Sequence, residues 1–271
     1  MKIFYMGTAA YDAMPTPFCR CDTCLRSRAE GGKSIRTRSQ ALINDDLLIE
    51  FNPDTISHFF KYDTDWNKIK TCLITHSHCD HLFAEDICVT QYSENADHVD
   101  YYTGKSGYDK IRALFDENKR MYKHASINLV TPYKRFSAGG YEVLPLPANH
   151  APDTTPLIYA IQKDGKRLLY AHDTGLPDSG VYDALKDFGK LDLVSLDCTG
   201  AIAKGWRNGH LCLETNKEVM DEMKARGIAD ENTIVVVNHF SHNGLGTHSE
   251  IEKAASKLGF VAAYDGMTVE F

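Results

Sequence analysis

The sequence predicts a mixed α/β protein in which two packed β-sheets carry helices on their outer faces. Short β-type runs recur along all 271 residues, too many for one open sheet, and helical patterns fall between them. Hairpin signals at Asn44-Asp45-Asp46 and Lys163-Asp164-Gly165 indicate that some neighbouring strands are antiparallel. The sheets are therefore expected to be mixed.

The predicted strands are apolar runs bounded by turn residues. In chain order they are residues 2–6, 41–44, 47–51, 71–75, 141–147, 157–162, 167–170, 191–196, 233–237 and 261–263. The 3.6-residue period predicts helices at 106–119, 181–188, 213–226 and 249–258, the last with Ser249 as its N-cap. No repeat or flexible linker interrupts this pattern, so we expect a single domain over residues 1–271.

Composition excludes several classes of protein. The hydrophobic fraction of 43% and the charged fraction of 25% are those of globular proteins. No apolar run approaches the roughly 18 residues of a membrane span, and no secretory signal is evident, so we expect a cytoplasmic protein without membrane contact. The net charge of -7 disfavours a nucleic acid polymer as partner.

The cysteines favour a metal site over disulfides. Cys19, Cys21 and Cys24 lie too close together to pair comfortably with one another. Three thiolates are one short of the four ligands of a closed tetrahedral zinc site, so a fourth ligand must come from elsewhere. We expect a cysteine zinc-binding loop at about residues 15–34. The basic residues that overlap it, which include Arg36 and Arg38, are predicted to lie on a solvated loop.

The strongest chemical signal is Thr75-His76-Ser77-His78-Cys79-Asp80-His81, directly after an apolar run. In an extended strand end, residues two apart project to the same side, so His76 and His78 can bind one ion together. Asp80 and His81 follow the bend and can face a second ion.

Three more polar residues stand at the ends of apolar runs, where a fold built on sheets displays its active site. They are His150, Asp173 and His239. His172 precedes Asp173 but should point to the opposite side of its strand, so we interpret it as structural. His58, His98, His124 and His248 lack partners at ligand spacing and are interpreted as surface residues.

These motifs resemble the metallo-β-lactamase superfamily, whose HxHxDH motif is matched by His76, His78, Asp80 and His81. Within it, the chain is similar to the PhnP family of cyclic phosphodiesterases. The shared landmarks, in chain order, are Cys19-x-Cys21-x2-Cys24, Leu146-Pro147-x-Asn149-His150, Asp173-Thr174, Asp197-Cys198, Arg207-Asn208-Gly209-His210, His239-x-Ser241-His242 and Asp265-Gly266-Met267.

The resemblance implies a four-layer α-β-β-α sandwich that binds two catalytic ions. It assigns one ion to His76, His78 and His150, the other to Asp80, His81 and His239, and it makes Asp173 the bridge between them. It also implies that His242 completes a structural zinc site with Cys19, Cys21 and Cys24. Histidine and carboxylate suit zinc, manganese and iron alike, so the catalytic metals stay open.

The predicted centre suits an anionic substrate. Two divalent ions, two carboxylates and a bridging hydroxide leave about one positive charge by simple counting. Asp80 and His210 are predicted to be catalytic, His210 as a phosphate-binding group or as the acid that protonates a leaving alkoxide. Arg207 is predicted to bind substrate with His210, and Asp54 to orient a ligand histidine.

The predicted function is that of a metal-dependent hydrolase acting on a small (cyclic) phosphodiester. Two alternatives stay open at this stage. One is hydrolysis of a thioester, lactone or lactam on the same ions, and the other is a non-catalytic accessory role of the PqqB kind. Processing of transfer RNA is disfavoured because the chain has no long basic insertion. A homodimer is compatible with the sequence.

Overall fold

A computed structural model describes all 271 residues and contains two seven-stranded sheets. The first sheet has the strand order β14-β1-β2-β3-β4-β5-β6. Its strands are β1 (Lys2–Gly7), β2 (Gln40–Ile43), β3 (Leu47–Ile49), β4 (Thr71–Ile74), β5 (Val99–Thr103), β6 (Ala125–Leu129) and β14 (Met267–Glu270). The pairs from β3 to β6 are parallel and the others are antiparallel, so this sheet is mixed.

The second sheet has the order β13-β12-β11-β10-β9-β8-β7. Its strands are β7 (Phe136–Ala138), β8 (Tyr141–Pro147), β9 (Leu157–Lys163), β10 (Lys166–Ala171), β11 (Leu193–Asp197), β12 (Ile234–Asn238) and β13 (Val261–Ala262). It is antiparallel from β7 to β10 and parallel from β10 to β13. The prediction of two mixed sheets is confirmed.

Seven α-helices join the strands. They are α1 (Asp22–Glu30), α2 (Thr55–Tyr62), α3 (Ala84–Ile87), α4 (Lys105–Glu117), α5 (Ser179–Phe188), α6 (Leu213–Ala225) and α7 (His248–Ser256). The last of these begins one residue earlier than predicted. Its N-cap is Thr247, which forms a capping box with Glu250, and not Ser249.

Three apolar cores separate the four layers. One core lies between the sheets and joins Ile3 and Leu73 of the first sheet to Leu168 of the second. A second core packs α5, α6 and α7 on the second sheet, and a third packs α2, α3 and α4 on the first. Along β10, Leu168 faces the inner core and Leu169 the outer one, as strand alternation requires. The predicted α-β-β-α sandwich is confirmed.

The elements that the sequence analysis missed lie at the margins of the fold. Strands β5 and β6 close one edge of the first sheet and are only partly buried, so their apolar residues form no continuous run. Helix α1 is mostly polar and lies in the predicted cysteine loop. No helix has both the length and the apolar character that crossing a membrane would require.

Several residues predicted at the surface are buried. Arg36 is 2% exposed and donates hydrogen bonds to Thr8 Oγ1 at 2.7 Å, to Ala263 O at 2.6 Å and to His248 Nδ1 at 2.9 Å. His248, His58 and His124 are also buried. The basic segment is therefore not simply a solvated loop, because Arg36 connects the region after α1 to the start of α7.

We expect His248 to make the stability of the fold depend on pH. Burial lowers the pKa of His248 to about 4, and the neighbouring Arg36 cation acts in the same direction. The folded state therefore binds a proton less readily than the unfolded state, and its stability falls as the pH drops from about 6.5 towards 4. When the pH is lowered from 7 to 5, the free energy of unfolding should fall by about 1 to 2 kcal/mol more in the parent than in His248→Gln. Urea unfolding at both pH values measures this, and equal losses would contradict the assignment.

Candidate metal centre

The predicted ligands meet at one edge of the sandwich because each follows the carboxyl end of a strand. His76 comes directly after β4, whereas His150, Asp173 and His239 follow β8, β10 and β12 of the other sheet. Packing of the two sheets face to face brings these four strand ends together. The loop from His76 to His81 completes the cluster.

Asp173 lies at the middle of the cluster. Its Oδ2 is 2.8 Å from His81 Nε2, 3.3 Å from His76 Nε2 and 3.8 Å from His150 Nε2. Its other oxygen, Oδ1, is 3.4 Å from His239 Nε2. One carboxylate thus contacts imidazoles from both sheets.

Three sets of potential ligand atoms share Asp173, and two of them are the predicted ones. The first set is His76, His78, His150 and Asp173, and the second is Asp80, His81, Asp173 and His239. The third, Asp173, Asp197, His210 and His239, overlaps the second. Within each set the atoms lie within 4.8 Å of one another, close enough to bind a single ion. The structure therefore brings together both of the ligand sets that the sequence resemblance implies.

The chemistry of these residues fits divalent cations. His81 Nε2, His239 Nε2 and Asp173 Oδ1 are buried, and despite the short distances around Asp173 none of them has a partner in hydrogen-bonding geometry. Buried polar atoms are rarely left unpaired in folded proteins, and all three point at the shared cluster. Ions held by the two sets would satisfy all of them.

The charges of the cluster agree with this role. Burial alone would raise the pKa of Asp173, but His239 and His81 hold it well below its usual value. Burial and the neighbouring His81 lower the pKa of His76 to about 3, which leaves its imidazole neutral and able to bind a metal. Although burial opposes it, Asp80, Glu50 and Asp173 raise the pKa of His81, which reflects the concentration of negative charge around its ring.

Glu50 supports the centre from outside the ligand sets, and the sequence analysis missed it. Its buried carboxylate accepts hydrogen bonds from Thr75 Oγ1 at 2.6 Å and from Thr75 N at 3.2 Å, and it lies 3.0 Å from His81 Nδ1. A carboxylate on the outer nitrogen of a histidine orients the ring and raises its basicity as a ligand. The available signal was an acid at the end of the apolar run 47–51.

Asp54, which was predicted to orient a ligand histidine, binds Arg38 instead. Its carboxylate accepts hydrogen bonds from the backbone N of Arg38 at 2.9 Å and from the Arg38 guanidinium at 3.1 Å. The prediction placed the supporting acid four residues too late, because β3 already ends at Ile49.

Asp197 supports the other half of the centre. Its Oδ2 accepts a hydrogen bond from Asp173 N at 3.1 Å and lies 3.4 Å from His239 Nδ1. The same oxygen is 3.1 Å from His210 Nδ1. Thr199 Oγ1 lies 2.9 Å from His239 Nδ1 and so holds the same edge of that ring.

His210 reaches the centre without belonging to either predicted ligand set. Its Nδ1 is also 3.2 Å from Asp173 Oδ1, and the side chain is 26% exposed. Burial would lower the pKa of His210, but Asp197 raises it to about 9, which favours the protonated ring. A group able to donate a proton therefore lies beside Asp173.

Arg207 does not reach the centre. Its guanidinium forms two hydrogen bonds with the Glu218 carboxylate, at 2.9 and 2.7 Å, and the side chain is 47% exposed. The predicted contact between Arg207 and substrate therefore has no support in the structure. His172 also lies outside the centre, as predicted, with its ring between Ser39 and Ser195.

The centre opens into a pocket of about 350 Å³. Six of the nine lining residues are ligand candidates or His210, and the others are Ala10, Tyr11 and Cys79. The pocket walls contain no lysine or arginine. Asp80 lines the pocket as well, and although burial opposes this, His81 lowers its pKa to about 2, so it stays ionised as a ligand should.

The cysteine cluster forms a separate four-ligand group. The Sγ atoms of Cys19, Cys21 and Cys24 lie 3.4, 3.3 and 3.5 Å from His242 Nδ1. Sulfur and nitrogen ligands on one tetrahedral zinc ion would be separated by about 3.5 Å. All eight cysteines are free of disulfides, and a hydrogen bond from Cys21 N lowers the pKa of Cys19 to about 7. The group thus has the composition and spacing of a closed metal site.

Fold and ligand sets together define a class of proteins, namely those that bind metal at one edge of an α-β-β-α sandwich. A family model described as the beta-lactamase superfamily domain matches residues 52–240, well over half of the chain. The protein therefore belongs to the beta-lactamase superfamily, and its fold is the metallo-β-lactamase fold. A sequence comparison with curated proteins finds no match.

Solved structures share this fold along the whole chain. A diphosphatase of the PhnP family has a TM-score of 0.75 at 19% identity, covering 100% of this chain and 97% of its own. Zn²⁺-bound PqqB from Methylobacterium extorquens has a TM-score of 0.72 at 17% identity and full coverage of both chains. The short form of human tRNase Z has a TM-score of 0.67 at 16% identity, covering 100% and 99%. At these identities the likeness is one of fold.

We expect Asp173→Ala to lose metal. Asp173 is the one residue that belongs to both predicted ligand sets, so the variant should bind at least one ion fewer than the parent. Elemental analysis of the dialysed proteins measures this, with the exposed Asp187→Ala as the matched control. A full metal content in Asp173→Ala would show that Asp173 does not bridge two ions.

We expect Cys21→Ser to destabilise the fold and to lose one bound metal ion. A structural metal contributes directly to folding, and Cys21 is a predicted ligand. Cys21 is also the N-cap of α1, a position that serine fills well, so the substitution removes the ligand and keeps the cap. A loss of about 2 kcal/mol or more lowers the melting temperature by about 5 °C or more in a chain of this size. Thermal unfolding with metal analysis tests this against Cys88→Ser, which changes a cysteine outside the cluster. Equal melting temperatures and metal contents would overturn the assignment.

Proposed function

We propose that the protein is a metal-dependent phosphodiesterase that hydrolyses a small anionic phosphodiester in the pocket beside Asp173. The observation that carries this proposal is the position of His210. Its ring is fixed by Asp197 at 3.1 Å, lies 3.2 Å from the bridging Asp173, and lines the pocket. An acid held at this point can protonate the oxygen that leaves phosphorus.

The reaction is a balanced hydrolysis. Water adds its hydroxyl to phosphorus, the ester P–O bond breaks, and His210 Nε2 gives its proton to the departing alkoxide. The remaining proton of the water restores His210, and the products are an alcohol and a phosphomonoester. The chemistry that divalent ions supply at such a site is polarisation of a phosphoryl oxygen and acidification of water.

The residues around the pocket have distinct tasks in this scheme. The two ligand sets would hold two divalent ions, which we propose to be zinc, manganese or iron. Asp197 keeps Nδ1 of His210 engaged, so that Nε2 is left for the substrate. The cysteine group with His242 would hold a structural zinc, since three sulfurs and one nitrogen suit that ion. The walls lack lysine and arginine, which favours a small substrate over a nucleic acid polymer.

The structural relatives support this choice of chemistry. One of them is named a diphosphatase and another is a tRNase, and their names therefore point to phosphate chemistry on this fold. PqqB shares the fold as well, so an accessory role is one of the outcomes that the experiment must separate.

The test combines metal analysis with a substrate panel. The expected content is two ions in the histidine centre and one zinc in the cysteine site, with hydrolysis of bis(p-nitrophenyl) phosphate and of a cyclic nucleotide. If the protein hydrolysed only a thioester or a lactam, its substrate would be a carbonyl compound and not a phosphodiester. A fully metallated protein that hydrolyses nothing in the panel would favour the accessory role.

We expect His210→Ala to bind its metals and to lose activity. Turnover of an alkyl phosphodiester should fall by roughly 10² to 10⁴, the usual effect of removing a general acid. The loss should be smaller with p-nitrophenolate as the leaving group, because that oxygen departs without a proton. Steady-state kinetics on both substrates, with the exposed His98→Ala as the control, makes the comparison. Equal losses would assign His210 to phosphate binding, and no loss would remove it from the mechanism.

A further inference from the structure

The pocket has one large surface that the proposed chemistry does not use, and this surface is Tyr11. Among the nine lining residues, only Ala10, Tyr11 and Cys79 are neither ligand candidates nor the proposed acid. Ala10 and Cys79 have small side chains. Any part of a substrate that extends beyond the reacting phosphate therefore meets the Tyr11 ring as the main organic surface of the pocket.

The backbone of Tyr11 is held in place from two sides. Ala10 N donates a hydrogen bond to Phe240 O at 2.9 Å, directly after the ligand His239. Arg38 Nε donates to Tyr11 O at 3.0 Å, and the Arg38 guanidinium is itself anchored to Asp54 at 3.1 Å. Tyr11 is therefore presented by a fixed segment.

The ring itself is open to the pocket. Tyr11 is 60% exposed, although an aromatic ring usually gains from burial. The Arg38 guanidinium lies over the ring at 5.9 Å from its centroid. Arg38 covers at most one face of the ring, and the large exposed remainder can accept a planar group. Stacking on an aromatic side chain is a common way in which proteins bind nucleobases.

The charged residues of the pocket also favour recognition by stacking. The pocket has no lysine or arginine that could bind a second phosphate or a carboxylate. Recognition outside the reacting group must then come from shape and from apolar or stacking contacts. The volume of about 350 Å³ lies within the range of pockets for small molecules.

We propose that Tyr11 determines substrate specificity by stacking on a planar, nucleobase-like group of the phosphodiester. This inference rests on the proposed phosphodiesterase function and narrows the substrate to a nucleoside-type diester. Purely aliphatic diesters with the same reacting phosphate are then poorer substrates, because they leave the Tyr11 ring without a partner.

The test compares two substrates that differ only in the base, adenosine 2′,3′-cyclic phosphate and ribose 2′,3′-cyclic phosphate. In Tyr11→Ala, kcat/KM for the adenosine compound should fall about 10-fold more than for the ribose compound, the scale expected for a lost stacking partner. Tyr11→Phe keeps the ring and should preserve the parent's ratio. Tyr92→Ala removes an exposed tyrosine outside the pocket and is the control.

Binding of adenosine monophosphate to the metal-loaded protein gives a second readout that needs no turnover. Its Kd should rise about 10-fold in Tyr11→Ala and stay near the parent value in Tyr11→Phe. Equal losses on both cyclic substrates, or an unchanged Kd, would overturn the role of Tyr11. If the parent hydrolyses neither cyclic phosphate nor bis(p-nitrophenyl) phosphate, the phosphodiesterase proposal fails, and the Kd of adenosine monophosphate alone decides on Tyr11.

Discussion

The centre depends on one constraint, which is that the Asp173 carboxylate is buried at the junction of the two sheets. Asp173 is 3% exposed, and its backbone leaves β10 in the left-handed region at a φ of 52°. A buried carboxylate is stable only when opposite charge or hydrogen-bond donors surround it. Imidazoles that follow the ends of three other strands, β4, β8 and β12, supply that environment. Their positions follow from the packing of the sheets, so the fold and the centre constrain each other.

The same constraint accounts for the surroundings of Asp173. Glu50, Asp80, Asp173 and Asp197 are all 5% exposed or less, so four carboxylates share one buried region. Neutral imidazoles cannot offset the negative charge of these carboxylates, whereas bound metal cations can. Glu50 and Asp197 were missing from the sequence-based charge count, which therefore gave too positive a centre. A surplus charge of the ions is then not enough to attract an anion, and His210, whose pKa Asp197 raises, is the nearby group that can add positive charge.

The sequence predicted the elements whose residues are buried on both faces, because those runs are apolar without interruption. The strands β8 to β12 and the ligands at their ends belong to this group. In β5 and β6, which lie at one side of the first sheet, buried residues are mixed with partly exposed ones, so their sequences resemble those of loops. Glu50 and Tyr11 escaped detection for another reason. Their roles arise from proximity across the fold, Glu50 to His81 and Tyr11 to the centre, and neither belongs to a local motif.

Arg207 was predicted to bind substrate, but the structure pairs it with another residue. It stands three residues before His210, and sequence spacing alone placed it in the pocket. In the folded chain, Glu218 of α6 lies within 3 Å and provides a bidentate partner at the surface. A guanidinium gains more from such a planar pair than from a solvated position near an anion site.

The cysteine group with His242 and the cluster around Asp173 are connected through two short segments. His239 and His242 lie three residues apart, so one segment contributes to both metal groups. The second segment is Tyr11-Asp12, in which Asp12 Oδ2 lies 3.1 Å from His242 Nε2 while Tyr11 lines the pocket. A carboxylate on the outer nitrogen of a metal-binding histidine fixes the orientation of that ring. An ion at the cysteines would therefore hold both the ligand His239 and the Tyr11 wall in place, which connects the metal content of the loop to the shape of the pocket.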